Sequence, residues 1–377
     1  MPHWIHLVKG PSMVSLEGIG HVFGKDVSNS KVSIHAGKIL PFEISSNCNI
    51  KIEGGESWLA HSSSAGTSIW SDIIQKIFCE KVQKTILIVG SSDAGKSSLA
   101  VYIVNEALKN GFTHCCVIDG DIGQGDLAPP NAVGGAVITK QITDLRDVDG
   151  QFFEFVGSTS PAGYEHIIIN AIKSILKQFR PFCSICIINT DGYILNNGID
   201  YKVRVAQELR PDLVVCLGEV SLFNTFRAKF GLSPILFGKP PSNAIKSRID
   251  RSQRRLNQFQ RYILEEKDSR SSNIISKPLN EVEFVFKGKL YPRVRITRYG
   301  SLQLTNNRNS LQIMRRKLAN IFIAVGSDGR NILGFGVILN VSRSRVYIKS
   351  DVDNFNKIYL SNSRINEYNA LEFRMIN

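Results

Sequence analysis

Apolar and polar positions follow three different patterns along the chain. Up to about residue 64, short stretches alternate with period two between Gly, Asn and Ser: Ser12–Leu16, Gly20–Phe23, Lys31–Ile34, Lys38–Leu40 and Asn49–Ile52. Strands with one wet face alternate in this way, so the pattern predicts a small β sandwich or barrel. His61–Gly66 reads as a linker, and Ile69–Lys81 has the periodicity of an amphipathic helix. From there to about residue 265 the apolar runs are unbroken: Thr85–Val89, His114–Asp119, Phe152–Phe155, Ser184–Asn189, Leu213–Leu217 and Pro234–Phe237. Helical stretches at Ser98–Asn110, Tyr164–Phe179, Tyr201–Leu209 and Phe223–Phe230 stand between them. Strands buried on both faces and separated by helices predict right-handed crossovers and a mainly parallel sheet, with ligands at the strands' carboxyl ends. After a polar linker at Asp268–Asn273, alternation returns in Glu281–Phe286, Val294–Thr297, Asn320–Val325, Gly334–Leu339 and Arg345–Lys349, which predicts a second small, barrel-like β domain.

The best-defined chemistry lies between the first unbroken strand and its helix, in Gly90, Ser91, Ser92, Asp93, Ala94, Gly95, Lys96, Ser97 and Ser98. This G-x-x-x-x-G-K-S spacing is a phosphate loop. Its glycines permit a turn whose N–H groups converge on a triphosphate, Lys96 reaches the β- and γ-phosphates, and Ser97 offers a hydroxyl to Mg²⁺. The predicted fold is therefore α/β: a P-loop NTPase domain at 65–270 with a mainly parallel sheet, flanked by small all-β domains at 1–64 and 271–377.

Four further segments fall at predicted strand ends or beyond the sheet. In Val117–Asp126, Asp121 and Asp119 can orient a metal's waters, and Asp121 can accept a proton from an attacking hydroxyl; service to Mg²⁺ alone is the alternative. Gly157–Gly163 places hydroxyls in a Pro/Gly turn that could hold a phosphate, although it is equally a loop leading to a helix N-cap. Asn189–Tyr193 is another polar strand end, with a ring able to stack on a base. In Lys246–Arg255, Arg248, Arg251 and Arg255 share one side if the segment is helical, and over a nucleotide they would neutralise a transferring phosphoryl group. A solvated basic helix is the alternative.

A net charge of +13 makes the surface attractive to polyanions, nucleic acid first and anionic membrane second. The seven cysteines are scattered and odd in number, which speaks against a disulfide framework; Cys183, Cys186, Cys115 and Cys116 read as buried strand residues. Neither a signal peptide nor a membrane span is legible, so an intracellular protein is expected, cytoplasmic if prokaryotic.

Together these segments resemble the polynucleotide 5′-hydroxyl kinase family, which includes the kinase subunit of pre-mRNA cleavage factor, rRNA-processing kinases and archaeal relatives, the last being most similar. Gly90–Ser98 is similar to its phosphate loop, Asp119–Gln124 to its D-x-D-x-G-Q segment, Gly157–Pro161 to its clasp, and Lys246–Arg255 falls where its arginine lid lies. Pro11–Gly18 and Val325–Val337 resemble its terminal β domains. The resemblance implies transfer of the γ-phosphate of ATP, or another NTP, with Mg²⁺, to the 5′-hydroxyl of RNA and often also DNA. It further implies that Asp121 activates the hydroxyl, that Gln124, Thr159, Ser160, Tyr193, Lys246, Arg248 and Arg255 serve the substrate, and that Arg251 is a lid cation. The family typically opens the lid motif with arginine; here either Lys246 acts as a point charge or Arg248 takes that place, and Tyr193 stands where Trp is frequent. A P-loop ATPase switch and a non-catalytic, nucleotide-bound scaffold of an RNA-processing complex are the competing readings.

Overall fold

The computed structural model describes residues 4–79, 84–231, 233–242, 248–263, 273–328, 332–365 and 370–372. Lys246, Ser247 and most of the Asp268–Asn273 linker lie outside the described residues. The chain forms two compact units in which distant segments interleave. The first comprises Met1–Asp121, Gly135–Gln151 and Ile175–Arg251, and the second Ile122–Gly134, Phe152–Ser174 and Ser252–Asn377.

In the first unit, two antiparallel sheets precede the nucleotide fold. One runs in the order Lys25–Asp26, Gly20–Val22, Ile39–Ile44, Trp4–Lys9, Glu56–His61, and the other pairs Lys31–Ile34, Ser12–Glu17 and Asn49–Glu53. Alternate positions such as Val14, Leu16, Val32 and Ile34 are buried, as period-two patterning requires. Trp4–Lys9 and Glu56–His61 were not among the expected strands.

Five parallel strands follow, in the order Cys115–Gly120, Ile185–Thr190, Lys84–Gly90, Leu213–Leu217, Ile235–Gly238. Ile86, Leu87, Ile88 and Val89 are fully buried, the signature of a strand covered on both faces. Leu217 pairs with both Gly90 and Gly238, and Asn189 with both Asp119 and Ile88, so the polar strand ends share the carboxyl edge of the sheet. The helix Lys96–Lys109 is anchored by buried Asn105, whose amide donates to the carbonyls of Phe23 and Ile142 at 2.8 Å each and accepts from the Ile142 N–H at 2.9 Å. Phe23 lies in the turn between the strands Gly20–Val22 and Lys25–Asp26, so this amide ties the N-terminal β region to the nucleotide-fold helix.

One expectation about cysteine is revised. The Cys116 and Cys183 sulfurs form a disulfide across 67 residues of sequence, with 6.0 Å between the Cα atoms. The other strand cysteines are inert thiols: burial pushes Cys115, Cys186 and Cys216 up to about 12.

In the second unit, strands run Asn273–Pro278, Arg345–Ser350, Ile332–Val341, Ile321–Gly326, Lys357–Ile365, Glu283–Phe286, Lys289–Tyr291, with Ala370–Glu372 pairing at Lys357–Ile365. Register shifts at Val325/Gly326, Ile321/Ile323 and Ile338/Asn340 bend this sheet. A separate antiparallel sheet, Arg293–Ile296, Ser301–Thr305 and Ser310–Met314, covers the same core, which includes Phe284, Leu302, Leu304, Ile323 and Ile348. The expected barrel is thus two sheets around one interior. Among the described residues no helix is long and apolar enough to cross a membrane.

Candidate active site

The phosphate loop sits at the carboxyl edge of the central strand, with Asp93 (φ 62°) and Gly95 (φ 89°) in the left-handed region. Trp70, 1% exposed, backs the loop: its indole packs on Gly95 and its Nε1 donates to the Lys239 carbonyl at 3.0 Å. Nothing in the sequence pattern marked Trp70 beyond its place in an amphipathic segment. Lys96 is buried and donates to the carbonyls of Gly90 (3.1 Å) and Ser91 (2.7 Å). Burial lowers its pKa from 10.5 to about 8, opposed first by the negative charge of Asp121. Asp121, half-buried, therefore lies where its field acts on Lys96.

Next to the loop, one amide joins the acidic segment to the hydroxyl. Asn189 Nδ2 donates to Asp119 Oδ1 at 3.0 Å and to Ser97 Oγ at 3.3 Å, and Asp119 Oδ1 also accepts the Asp121 N–H at 3.2 Å. Asn189 is 1% exposed, and its Oδ1 has no hydrogen-bond partner among the described residues. Ser97, Asp119 and Asp121 thus form a hard oxygen set beside a buried acceptor in need of a donor. This suits a magnesium ion carrying its own waters.

The following turn is locked by charge. Asp191 Oδ1 lies 2.7 Å from Lys202 Nζ and accepts the Tyr193 N–H at 2.8 Å, while its Oδ2 accepts from the Tyr201 hydroxyl at 3.3 Å. Lys202 is completely buried, which lowers its pKa, and Asp191 opposes that shift. The turn presses Gly192 against the phosphate loop so closely that a Cβ there would meet Ser92 N at 2.6 Å. Tyr193 leans on Tyr201, with ring centroids 6.4 Å apart.

The basic segment is a helix, Arg248–Ile263. Arg251 forms a 2.7 Å ion pair with Asp93 of the phosphate loop, so this cation is at the nucleotide end of the fold. Arg254, not anticipated, makes a buried 2.6 Å ion pair with Asp126, and Gln258 donates to the carbonyls of Gly125 and Asp126 at 3.1 and 3.3 Å. Arg255 is half-buried on the same helix. In the second unit, the turn expected to grip substrate is held by its own hydroxyls: Ser158 Oγ donates to the Ser160 carbonyl at 2.9 Å and accepts the Ser160 N–H at 3.1 Å. The Asn362 N–H donates to the Gly157 carbonyl at 2.8 Å, tying this turn to the C-terminal sheet. Thr159 is half-buried, Ser160 exposed, and the Gln124 amide donates to the Gly123 carbonyl at 3.1 Å.

Strand, glycine loop and helix, with carboxylates and an amide on the adjoining strand ends, define a P-loop nucleotide-binding protein. Residues 90–265 match the family model described as the mRNA cleavage and polyadenylation factor CLP1 P-loop. A polyribonucleotide 5′-hydroxyl-kinase of Pyrococcus horikoshii is 25% identical over 221 residues, 57% of this chain and 59% of the relative. One from Methanocaldococcus jannaschii is 29% identical over 154 residues, 40% of this chain and 42% of the relative. Polyribonucleotide 5′-hydroxyl-kinase Clp1 of Macaca fascicularis is 23% identical over 232 residues, 56% and 54%. The chain thus matches less than two thirds of the length of each of these relatives. The solved wild-type Clp1p–Pcf11p (454–563) complex aligns with a TM-score of 0.71 at 14% identity, covering 96% of both chains, which shows a common fold.

Two outcomes are expected. Lys202→Met leaves Asp191 buried without its counter-charge and lowers unfolding free energy by about 3–5 kcal/mol, whereas adding Asp191→Asn recovers part of the loss; denaturant unfolding of the double-mutant cycle measures it. Nucleotide affinity is constant below pH 8 and declines above it as Lys96 loses its proton, because only the ammonium attracts phosphate. Calorimetry across pH 7–10 reads this as proton uptake on binding, absent in Lys96→Arg.

Proposed function

We propose that the chain is a polynucleotide 5′-hydroxyl kinase that transfers the γ-phosphate of ATP, or another NTP, to the 5′-hydroxyl of RNA, and of DNA where the strand fits. The observation that carries this reading is the convergence at one sheet edge of Lys96, Ser97, Asp119, Asp121 and, through Asp93, Arg251. A hydrolase needs a water-orienting group there; a kinase needs a proton acceptor for a sugar hydroxyl, and the curated relatives bear that name.

Lys96 and the loop N–H groups would hold the β- and γ-phosphates. Ser97 and Asp119, kept together by Asn189, would hold Mg²⁺, which when bound neutralises charge on the phosphates. Asp121 would take the proton of the 5′-hydroxyl as its oxygen attacks the γ-phosphorus, and the bond to the β–γ bridging oxygen breaks to release the nucleoside diphosphate. Arg251, with Arg248 or Lys246, would stabilise the equatorial oxygens. Thr159, Ser160, Gln124 and Arg255 would hold the strand's first phosphodiester, and Tyr193 its terminal base. In domain terms the reading assigns 1–64 and 271–377 to flanking β domains and 65–270 to the kinase.

The test is incubation with γ-labelled NTP and 5′-hydroxyl oligonucleotides. Label is expected on the oligonucleotide, and Lys96→Ala and Asp121→Asn should each reduce transfer by at least about 10³-fold, the scale of losing a positioned acid–base or electrostatic group. Release of free phosphate alone, or bound nucleotide without turnover, contradicts the proposal.

A further inference from the structure

Between Glu283 and Asp328 the chain has no Asp or Glu, yet this stretch carries nine Lys and Arg. Much of it forms the three-stranded sheet Arg293–Ile296, Ser301–Thr305, Ser310–Met314. Strand alternation sorts its side chains: Val294, Ile296, Leu302, Leu304, Leu311 and Ile313 pack in the core, so Arg293, Arg295, Gln303 and Thr305 lie on the outer face. Register then places Arg295 beside Gln303 and Gln303 beside Gln312 on the outer face, with Arg293 beside Thr305. Arg295 Nε donates to Gln303 Oε1 at 2.8 Å, and Gln303 Nε2 donates to Ser310 Oγ at 3.0 Å, which holds the exposed Arg295 by its Nε. Arg298 is exposed at the first hairpin turn, and Tyr299 beside it is 91% exposed. None of Arg293, Arg295 or Arg298 has an ion-pair partner among the described residues.

We propose that this outer face binds single-stranded RNA, with Arg293, Arg295 and Arg298 on successive phosphates and Tyr299 stacking on a base. Arg293 and Arg295 stand two residues apart on one strand, about 6.8 Å, a separation that suits neighbouring phosphates of an extended chain. Charges that merely protect a sheet edge need no exposed ring, and an aromatic beside unneutralised arginines is the combination by which single strands are held without sequence preference. RNA as the occupant rests on the kinase reading; the cationic face does not.

The test uses the full chain and two fluorescent 5′-hydroxyl oligoribonucleotides, one of three nucleotides and one of twenty, with binding followed as salt is raised. In the wild type the longer strand binds more tightly. Arg293→Gln/Arg295→Gln/Arg298→Gln is expected to abolish that advantage and to flatten the log–log salt slope by about 2, since each phosphate contact on a single strand contributes about 0.7. The triple lysine variant keeps most of the affinity, and Tyr299→Ala costs roughly tenfold or more. Phosphoryl transfer to the trinucleotide stays at the wild-type rate in every variant. Unchanged binding of the twenty-mer by the triple glutamine variant overturns the proposal. So does loss confined to vesicles of anionic lipid or to poly-glutamate. If no oligonucleotide is phosphorylated yet the length advantage still disappears, the kinase reading falls and this surface stands.

Discussion

A buried amide is tolerated when both its ends are used, and Asn189 uses one. Its donor is shared between Asp119 and Ser97, while its acceptor has no partner among the described residues, at a cost of about 1–3 kcal/mol. What the fold gains is a fixed distance between a strand-end carboxylate and the phosphate-loop hydroxyl. That distance follows from register: Asn189 pairs with Asp119 on one side and Ile88 on the other, so a slip of one residue would turn its side chain to the opposite face of the sheet.

The second constraint is cationic charge close to the interior. Lys96 and Lys202 are both buried, and each is tempered by carboxylates: Asp121, Asp191 and Asp93 for the first, Asp191 and Asp121 for the second. Arg251 is matched by Asp93, and Arg254 by Asp126. A loop that must receive a polyanion is thus pre-charged but internally compensated, which limits both desolvation cost and mutual repulsion. The Lys202–Asp191 pair also has a mechanical consequence, since the turn it fixes is the one that seats Gly192 on Ser92.

The phosphate loop, the acidic strand end and the basic helix were legible because their chemistry requires particular residues at short, fixed spacings. Strand Ala132–Ile138 was not, because Gly134 and Gly135 look like turn punctuation; in the fold, a Cβ on Gly135 would meet Ile175 at 2.7 Å, so the glycine marks close packing on a helix. Lys202 was hidden for a different reason. It occupies the apolar stripe of its helix, four residues after Gly198 and seven before Leu209, and that misplaced charge was a signal of a buried partner. Arg254 was overlooked beside Arg251 and Arg255, since spacing alone cannot say which arginine of a run turns inward to Asp126. The Cys116–Cys183 contact joins residues 67 apart and depends on strand order, which no local pattern encodes.

Ser97, Asn189 and Asp119 are joined in one hydrogen-bonded junction, the place proposed above for Mg²⁺. Its most direct test is the affinity for ATP with and without Mg²⁺, measured by calorimetry in the wild type and in Asn189→Leu. Magnesium is predicted to tighten binding to the wild type and to give little or no gain in the variant, whose metal-free affinity stays close to normal. A variant that keeps the full magnesium gain would contradict the account.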